Sequence, residues 1–491
     1  MKKSTLAIGI IAVLGIGYVG TSWYTGNVIE NNFDNYIAEI TKNFNNSQEM
    51  FNVVITHNQP EKGLFSTKMH MNVMLTSLDD GSSVKLYDDN ITIHHGPFPV
   101  AALSKGTFLP QMAWVEFEPT EQTSPEVWKI AGNKPFYKGH LGITYGEFLT
   151  LQLVSSAINL SSDVIPAIPS GNSLAFSSGE ITVKGNSDLS DLQVNTKLDD
   201  LDVTISDSNG KNNIKIDGWN LSLQQGENHQ DFLYEFKVDD VKLTAFNSIP
   251  LLKIHNITQK GTLNFLEMQQ DITASIDKIE VDPRPLTMGQ IANFSISDLQ
   301  FKQKTQIDDK ERVNGSLLLK VGSSTYGKQN LGDLTFDFSV KNLSKEFDRN
   351  RYSTAIGSEI TVNEISLHNE AGVAKISGLF KAADEVDEED LDINNILNWD
   401  TVKGQLEIPF SVIALVKTQI ESPNDEKISQ NKVDMNRMQV ATMAKMAFAD
   451  NPMFKVDDNG ISSNISIIKD QEYKLNGKTF TKEELEALTS Q

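Results

Sequence analysis

One local phrase limits the folds open to this chain more than any other feature: apolar, two polar, apolar, any residue, apolar. It reads Leu198-Asp199-Asp200-Leu201-Asp202-Val203, Ile216-Asp217-Gly218-Trp219-Asn220-Leu221 and Val238-Asp239-Asp240-Val241-Lys242-Leu243. It returns as Ile276-Asp277-Lys278-Ile279-Glu280-Val281, Ile296-Ser297-Asp298-Leu299-Gln300-Phe301 and Val362-Asn363-Glu364-Ile365-Ser366-Leu367. The starts are 18, 22, 38, 20 and 66 residues apart. All but the last gap lie near multiples of ~20, the mark of a degenerate repeat. Phe232, Tyr234, Phe236 and Val238 alternate, and Val241, Leu243 and Ala245 then alternate in the opposite phase. Strict pleating sends the second set to the other face. One extra residue, a β-bulge, keeps both sets on one face and bends the strand. A two-residue hairpin is the rival; its positive-φ turn suits Asp217-Gly218 but suits Asp-Asp, Asp-Lys and Asn-Glu poorly.

Bulges aligned on successive strands curl a sheet and give it a concave apolar side. A helix or second sheet covers that side in most proteins; a groove for acyl chains is the sharper alternative. Trp219, Phe232, Tyr234, Phe236, Phe294, Phe301, Phe336 and Phe338 lie on the alternating strands and line either a groove or a core.

Upstream, Lys2-Lys3 is followed by an apolar run, and Leu6 to Tyr24 makes 19 residues. As a helix that is ~28 Å, close to a bilayer's hydrocarbon thickness. Charge order around the run predicts a cytoplasmic N-terminus over 1–5, a transmembrane anchor over 6–24 and an exported remainder. A cleaved signal peptide is the alternative. Gly15 to Gly20 matches a dinucleotide-binding glycine pattern but lacks the preceding strand such a loop needs. Ile29, Phe33, Tyr36, Ile37, Ile40 and Phe44 then recur at helical spacing, predicting an amphipathic helix over 27–47 that packs on its own domain.

The remaining divisions are a β-rich region over 48–165, the repetitive antiparallel region over 172–382, an acidic linker over 383–395 and a mixed strand and helix region over 396–491. Six of the fifteen prolines fall in 94–140, which predicts irregular chain there. A helix over 426–449 is apolar on two sides, with Met435, Met438 and Met446 on one, the pattern of a helix sandwiched in a core. Tyr473 to Phe480 reads as a tight hairpin, and Thr481 with Glu484 as a capping box. The fold class expected is mainly β, an antiparallel, meandering, bulged and curved sheet, with an N-terminal transmembrane helix and a few peripheral helices.

Composition narrows function by exclusion. With 65 acidic against 43 basic residues the net charge is −22, which repels nucleic acid. There is no cysteine, hence no disulfide, thiolate metal site or thiol nucleophile. None of the eight histidines forms a zinc-protease motif, and no nucleophile elbow occurs. The adjacent His94-His95 pair is expected at a surface or turn, since neighbouring strand residues point oppositely. No catalytic residue, cofactor or metal ligand is assigned.

Several short stretches together resemble the YdgA-like family of Gram-negative envelope proteins, whose biochemical function is undefined. They are Trp23-Tyr24-Thr25-Gly26, Gly63-Leu64-Phe65-Ser66, His95-Gly96-Pro97-Phe98-Pro99, Phe176-Ser177-Ser178-Gly179-Glu180 and Leu475-Asn476-Gly477. Around 300–350, where that family carries a longer helical insertion, this chain runs from strand to strand. The resemblance implies an inner-membrane-anchored protein facing the periplasm, and it supplies no catalytic residue. The two prolines make His95 to Pro99 a rigid extended loop, with Phe98 as its expected anchor. The function expected is non-enzymatic: binding a lipid or an envelope partner along the concave sheet. The alternatives are a periplasmic hydrolase with a site assembled from distant residues, and a β scaffold for another protein.

Overall fold

A computed structural model describes residues 3–46, 50–163, 168–188, 190–208, 210–227, 231–246, 249–264, 269–347, 352–384, 395–448 and 451–489. The expected acidic linker lies outside them apart from its ends. The chain divides into two compact units, Met1–Leu233 and Tyr234–Gln491.

The first unit begins with one 44-residue helix, α1 (Lys3–Asn46). Strands β1 (Phe51–His57), β2 (Glu61–Lys62), β3 (Ser66–Ser77) and β4 (Ser83–His95) follow. A loop carrying the short helix α2 (Val100–Ser104) leads to β5 (Ala113–Phe117), and α3 (Pro125–Ile130) leads to β6 (Tyr137–Ile143). Next come β7 (Phe148–Ser155), β8 (Ile158–Ser161), β9 (Ser173–Phe176) and β10 (Gly179–Asn186). The long strands β11 (Gln193–Asp207) and β12 (Gly210–Gln225) end the unit's ladder. Pairing is antiparallel throughout: β3 holds β1, β2 and β4, the ladder continues through β5, β6, β7, β10, β11 and β12, and β9 joins β11 to β8. The core forms where α1 lies on this sheet, from Ile29, Met69, Tyr87, Ile91, Ile93 and Ala113, with Phe33 packed against it.

Two expectations change here. The transmembrane anchor over 6–24 is corrected: among the described residues no helix is long and apolar enough to cross a membrane. Side chains of residues 1–17 lie outside those described. The helix does not stop at Tyr24 but continues to Asn46, and its turn from Ser22 to Gly26 is packed on protein, Ser22 and Thr25 being buried. The proline-rich 94–140 segment is not simply irregular either. Its β5 spans the sheet between β4 and β6, burying Trp114. Five of the six prolines sit in the flanking loops and Pro125 opens α3, so their missing N–H breaks no ladder bond.

The second unit opens in β13 (Asp231–Ala245), whose residues up to Leu233 belong to the first. A sequential meander follows: β14 (Ile249–Asn264), β15 (Gln269–Val281), β16 (Phe294–Ile307), β17 (Arg312–Tyr326), β18 (Gln329–Ser344), β19 (Glu359–Asn369), β20 (Gly372–Lys381) and β21 (Thr401–Pro409). The helices α4 (Phe410–Glu421) and α5 (Gln430–Phe448) interrupt it before β22 (Lys455–Val456), β23 (Gly460–Ile468), β24 (Glu472–Leu475), β25 (Lys478–Thr479) and α6 (Lys482–Thr489). Asn476 and Gly477 take positive φ in the predicted hairpin turn. The capping box forms as expected: Thr481 N–H donates to Glu484 Oε2 at 2.8 Å, and Glu484 N–H to Thr481 Oγ1 at 3.2 Å. The core gathers at this end, from Leu397, Trp399, Val402, Ile467, Leu475 and Leu485.

All six copies of the phrase lie inside continuous strands, so the hairpin alternative fails. The bulge reading is corrected for four of the copies, in which neither strand holds an extra residue. Ile257 pairs with Ile276 and His255 with Lys278, while Asn256 and Asp277 leave the ladder together and the register is kept. Asp277 and Asp298, Asp298 and Gly322, and Asp199 and Gly218 drop out in the same way. Asn256, Asp298 and Gly218 have left-handed φ, which Asn, Asp and Gly tolerate best. One such residue reverses the pleat, so the apolar residues before and after it share a face. Bulges that shift the register appear farther on, between Asp337 and Phe338 and between Val362 and Ile365.

Candidate functional site: an open apolar face and a latched loop

Directly paired residues share a face of a sheet, and in the second unit these rows sort cleanly. Ala274, Phe301, Leu319, Phe336, Ile365, Ile376 and Leu406 form one continuous row from β15 to β21. Ile257, Ile276, Leu299, Val321, Leu334 and Leu367 form the row beside it. The intervening row, Thr258, Ser275, Gln300, Lys320, Thr335, Ser366, Lys375 and Glu407, is wholly polar and faces the other way.

The eight aromatic residues named from sequence are all half-buried, and none belongs to either buried core cluster. Phe301 and Phe336 lie on the first apolar row, and Phe338 pairs with Leu317 and Val362 on the next. Phe294 pairs with Val281 on the far side of the kink. Tyr234 is tied to this sheet by Gln259, whose amide donates to its hydroxyl at 2.9 Å. Phe236 lies on β13, two residues along from Tyr234. Trp219 and Phe232 belong to the first unit, where Trp219 pairs with Leu198. Helix α4 is tied to the strand ends, Gln419 donating to Asn330 O and Ser411 to Ala371 O, the C-terminal core takes in Ile360 and Phe380, and the row between stays half-buried. That row was not legible as open or filled from alternation alone.

Helix α5 departs from expectation. Met435, Met438 and Met446 are exposed rather than sandwiched. The reason is the polar seam between α4 and α5: buried Asn436 donates to Thr418 Oγ1 at 2.8 Å, and Lys417 reaches Glu421, Asn436 and Gln439. The seam uses the helix's polar side, so the methionines turn outward.

In the first unit the family-motif residues, distant in sequence, converge. His95 is buried at the end of β4, where Tyr87, Asp89, Ile91, Ile93 and His95 alternate on the core side. Its Nε2 lies 2.8 Å from Thr67 Oγ1. Gly26 of α1 packs on its ring so closely that an added Cβ would stand 2.6 Å from it. Ser22 Oγ donates to Gly96 O at 2.6 Å, and Tyr18 hydroxyl donates to Phe98 O at 3.1 Å. Phe65 stacks on Tyr18 at 5.8 Å. The Gly63 N–H donates to Ser66 O at 2.8 Å, closing the Gly63–Ser66 turn.

Two expectations are corrected by this geometry. His95 is a core residue, not a surface one, because period two places it in line with Ile91 and Ile93. Phe98 does not anchor the loop; its ring is part-exposed, and His95 and Gly96 hold the loop instead. Pro97 and Pro99 flank it, Pro99 capping α2. Trp23 and Tyr24 project outward from α1. His94 turns the other way, 4.0 Å from Glu116.

His94, His95 and His140 are each held below the ordinary imidazole pKa, burial being the leading cause. Their neutral forms are favoured in the folded chain, so the unfolded chain takes up protons first. The stabilisation they allow is complete above about pH 6.5 and is lost as pH falls through the depressed folded values. We expect the urea midpoint of the transition that exposes Trp114 to drop between about pH 7.5 and about pH 5.5. Fluorescence against a Trp114→Phe control measures it, and an unchanged midpoint contradicts the assignment.

A mainly antiparallel β protein with a half-open apolar face and a helix latched to a glycine–proline loop is the class these features define. The chain belongs to the family described as bacterial protein of unknown function (DUF945), whose model matches residues 1–350 and 355–483. It is 25% identical over 352 residues to protein YdgA of Escherichia coli (strain K12), covering 70% of this chain and 61% of that protein. It is 21% identical over 445 residues to the uncharacterized protein YihF of the same strain, covering 88% of this chain and 80% of that one. The match thus spans less than two thirds of YdgA. No solved structure matches.

Proposed function

We propose that this protein is a non-enzymatic binder of acyl chains, held along the apolar face of the second unit's sheet. One observation carries the reading: the unbroken row from Ala274 to Leu406, half-open over seven neighbouring strands. At strand spacing the row is about 29 Å long. Its backbone groups are used within the ladder, so the face offers apolar contact and no hydrogen bonds to a peptide. A hydrocarbon chain needs nothing else. Lipids are membrane components, so this reading implies work in the cell envelope, which a reporter fused to the C-terminus tests by its compartment.

The direct test is extraction of the purified full chain and mass spectrometry of what it holds. A charge in mid-row has to be desolvated against hydrocarbon, so Phe301→Asp and Phe336→Asp are each expected to lower recovered lipid about tenfold or more. Repeated recovery of bare protein, or equal lipid in the variants, overturns the proposal.

A further inference from the structure

Three uncharged stretches meet beside α1 in the first unit. Residues 4–29 carry no charged side chain, nor do 63–67, and between Asn90 and Glu116 the single charge is Lys105. In a chain with 65 acidic residues that concentration is unusual. The stretches touch one another: His95 N–H donates to Phe65 O at 2.9 Å, and α1 reaches both loops through Tyr18 and Ser22.

The 96–112 loop is closed at its base, Gly96 N–H donating to Met112 O and Gln111 N–H to Pro97 O, both at 2.9 Å. Its base is therefore fixed while its tip stands out. Val100 is 72% exposed, Phe108 74% and Leu109 72%, with Phe98, Leu64 and Phe65 part-exposed beside them. Large apolar side chains grouped at loop tips mark an interaction surface. The charge pattern says with what. Bilayer leaflets that contain anionic lipid carry a negative surface potential, which repels most of a chain at −22. The part that approaches such a surface has to be one poor in carboxylates, and these three stretches carry none.

We propose that the first unit docks on a lipid surface through these loop tips, with Phe108 and Leu109 entering the boundary between headgroups and acyl chains. The depth is that of an interfacial element, about 5–10 Å. Attraction comes from apolar burial, with Lys105 as the one cation of these stretches, so docking depends little on salt. This surface is separate from the sheet face of the second unit, and Phe301→Asp leaves it intact.

The absence of native cysteine makes the test clean. Phe108→Cys in the full chain, carrying an environment-sensitive fluorophore, is mixed with phosphatidylcholine vesicles. The label is expected to shift to the blue and to be quenched by lipids brominated on their acyl chains. The same label at Asp80→Cys, in the β3–β4 turn, is expected to stay in water. A label at 108 that remains aqueous, whether or not vesicles capture the chain by another part, overturns the proposal. So does a label already shielded before lipid is added, because a second copy or another part of the chain then covers the loop.

Discussion

Gly96→Ala is expected to destabilise the first unit by about 3 kcal/mol or more. A Cβ at Gly96 would lie 1.9 Å from Gln111 O and 2.7 Å from the Tyr145 hydroxyl. The nearer atom is backbone, so no rotamer change relieves the overlap. Either the bond from Gly96 N–H to Met112 O opens, or the one from Gln111 N–H to Pro97 O does. Both close the base of the same loop, and Ser22 loses its carbonyl partner when that base moves. For a unit of this size the loss corresponds to a fall in Tm of roughly 6–12 °C. Calorimetry of the full chain measures it. Gly20→Ala is the control: a Cβ there meets nothing within 4 Å, and alanine is the better helix former. Equal Tm values for the two variants would mean that Gly96 is not held as described.

The second large effect falls in the other unit. Phe410→Ala is expected to cost about 3–5 kcal/mol, the range for emptying a buried aromatic site. Phe410 is fully buried at the start of α4, as are Val412 and Ala414. Its N–H donates to Asn459 O at 2.8 Å, which ties α4 to the turn before β23. The cavity would loosen the helix that is tied to the ends of the strands at Asn330 and Ala371. Hydrogen exchange in 410–421 should then quicken well before that in the central strands. Met438→Ala on the exposed side of α5 is expected to stay within about 0.5 kcal/mol of the parent. Comparable losses in both variants would show that the two helices do not pack as described.

Legibility followed the range of the interactions involved. The recurring phrase carried enough information to place its six copies in strands, because period-two alternation is a property of the local backbone. It also marked where β11, β12, β15 and β16 turn the pleat, at Asp199, Gly218, Asp277 and Asp298. Ile254-His255-Asn256-Ile257 matches only the first four positions, with Gln259 where the last apolar residue would stand, yet its Asn256 takes the same left-handed φ. The symmetric form of the kink was out of reach, since it depends on which residue of the neighbouring strand drops out with it. Asn476-Gly477 and the Thr481–Glu484 box were legible for the same local reason.

The misplaced residues were those whose setting is made by chain far away. His95 became a core residue because Gly26, some seventy positions earlier, offers no side chain and lets the ring in. The apolar N-terminal run resembled a membrane span by length and composition. Its continuation into one helix, and the packing of Ser22 and Thr25 against protein, depend on contacts with residues 96 and 145. The methionines of α5 point outward because α4 presents Thr418 and Lys417 to the opposite side.

Alternation, turn chemistry and capping thus determined that this chain is an antiparallel β protein with apolar and polar rows, since each acts within a few residues. Whether those rows are filled or open, and which loop the first helix grips, was decided by packing between segments tens of residues apart. No local pattern encodes what the opposite side of a contact will be.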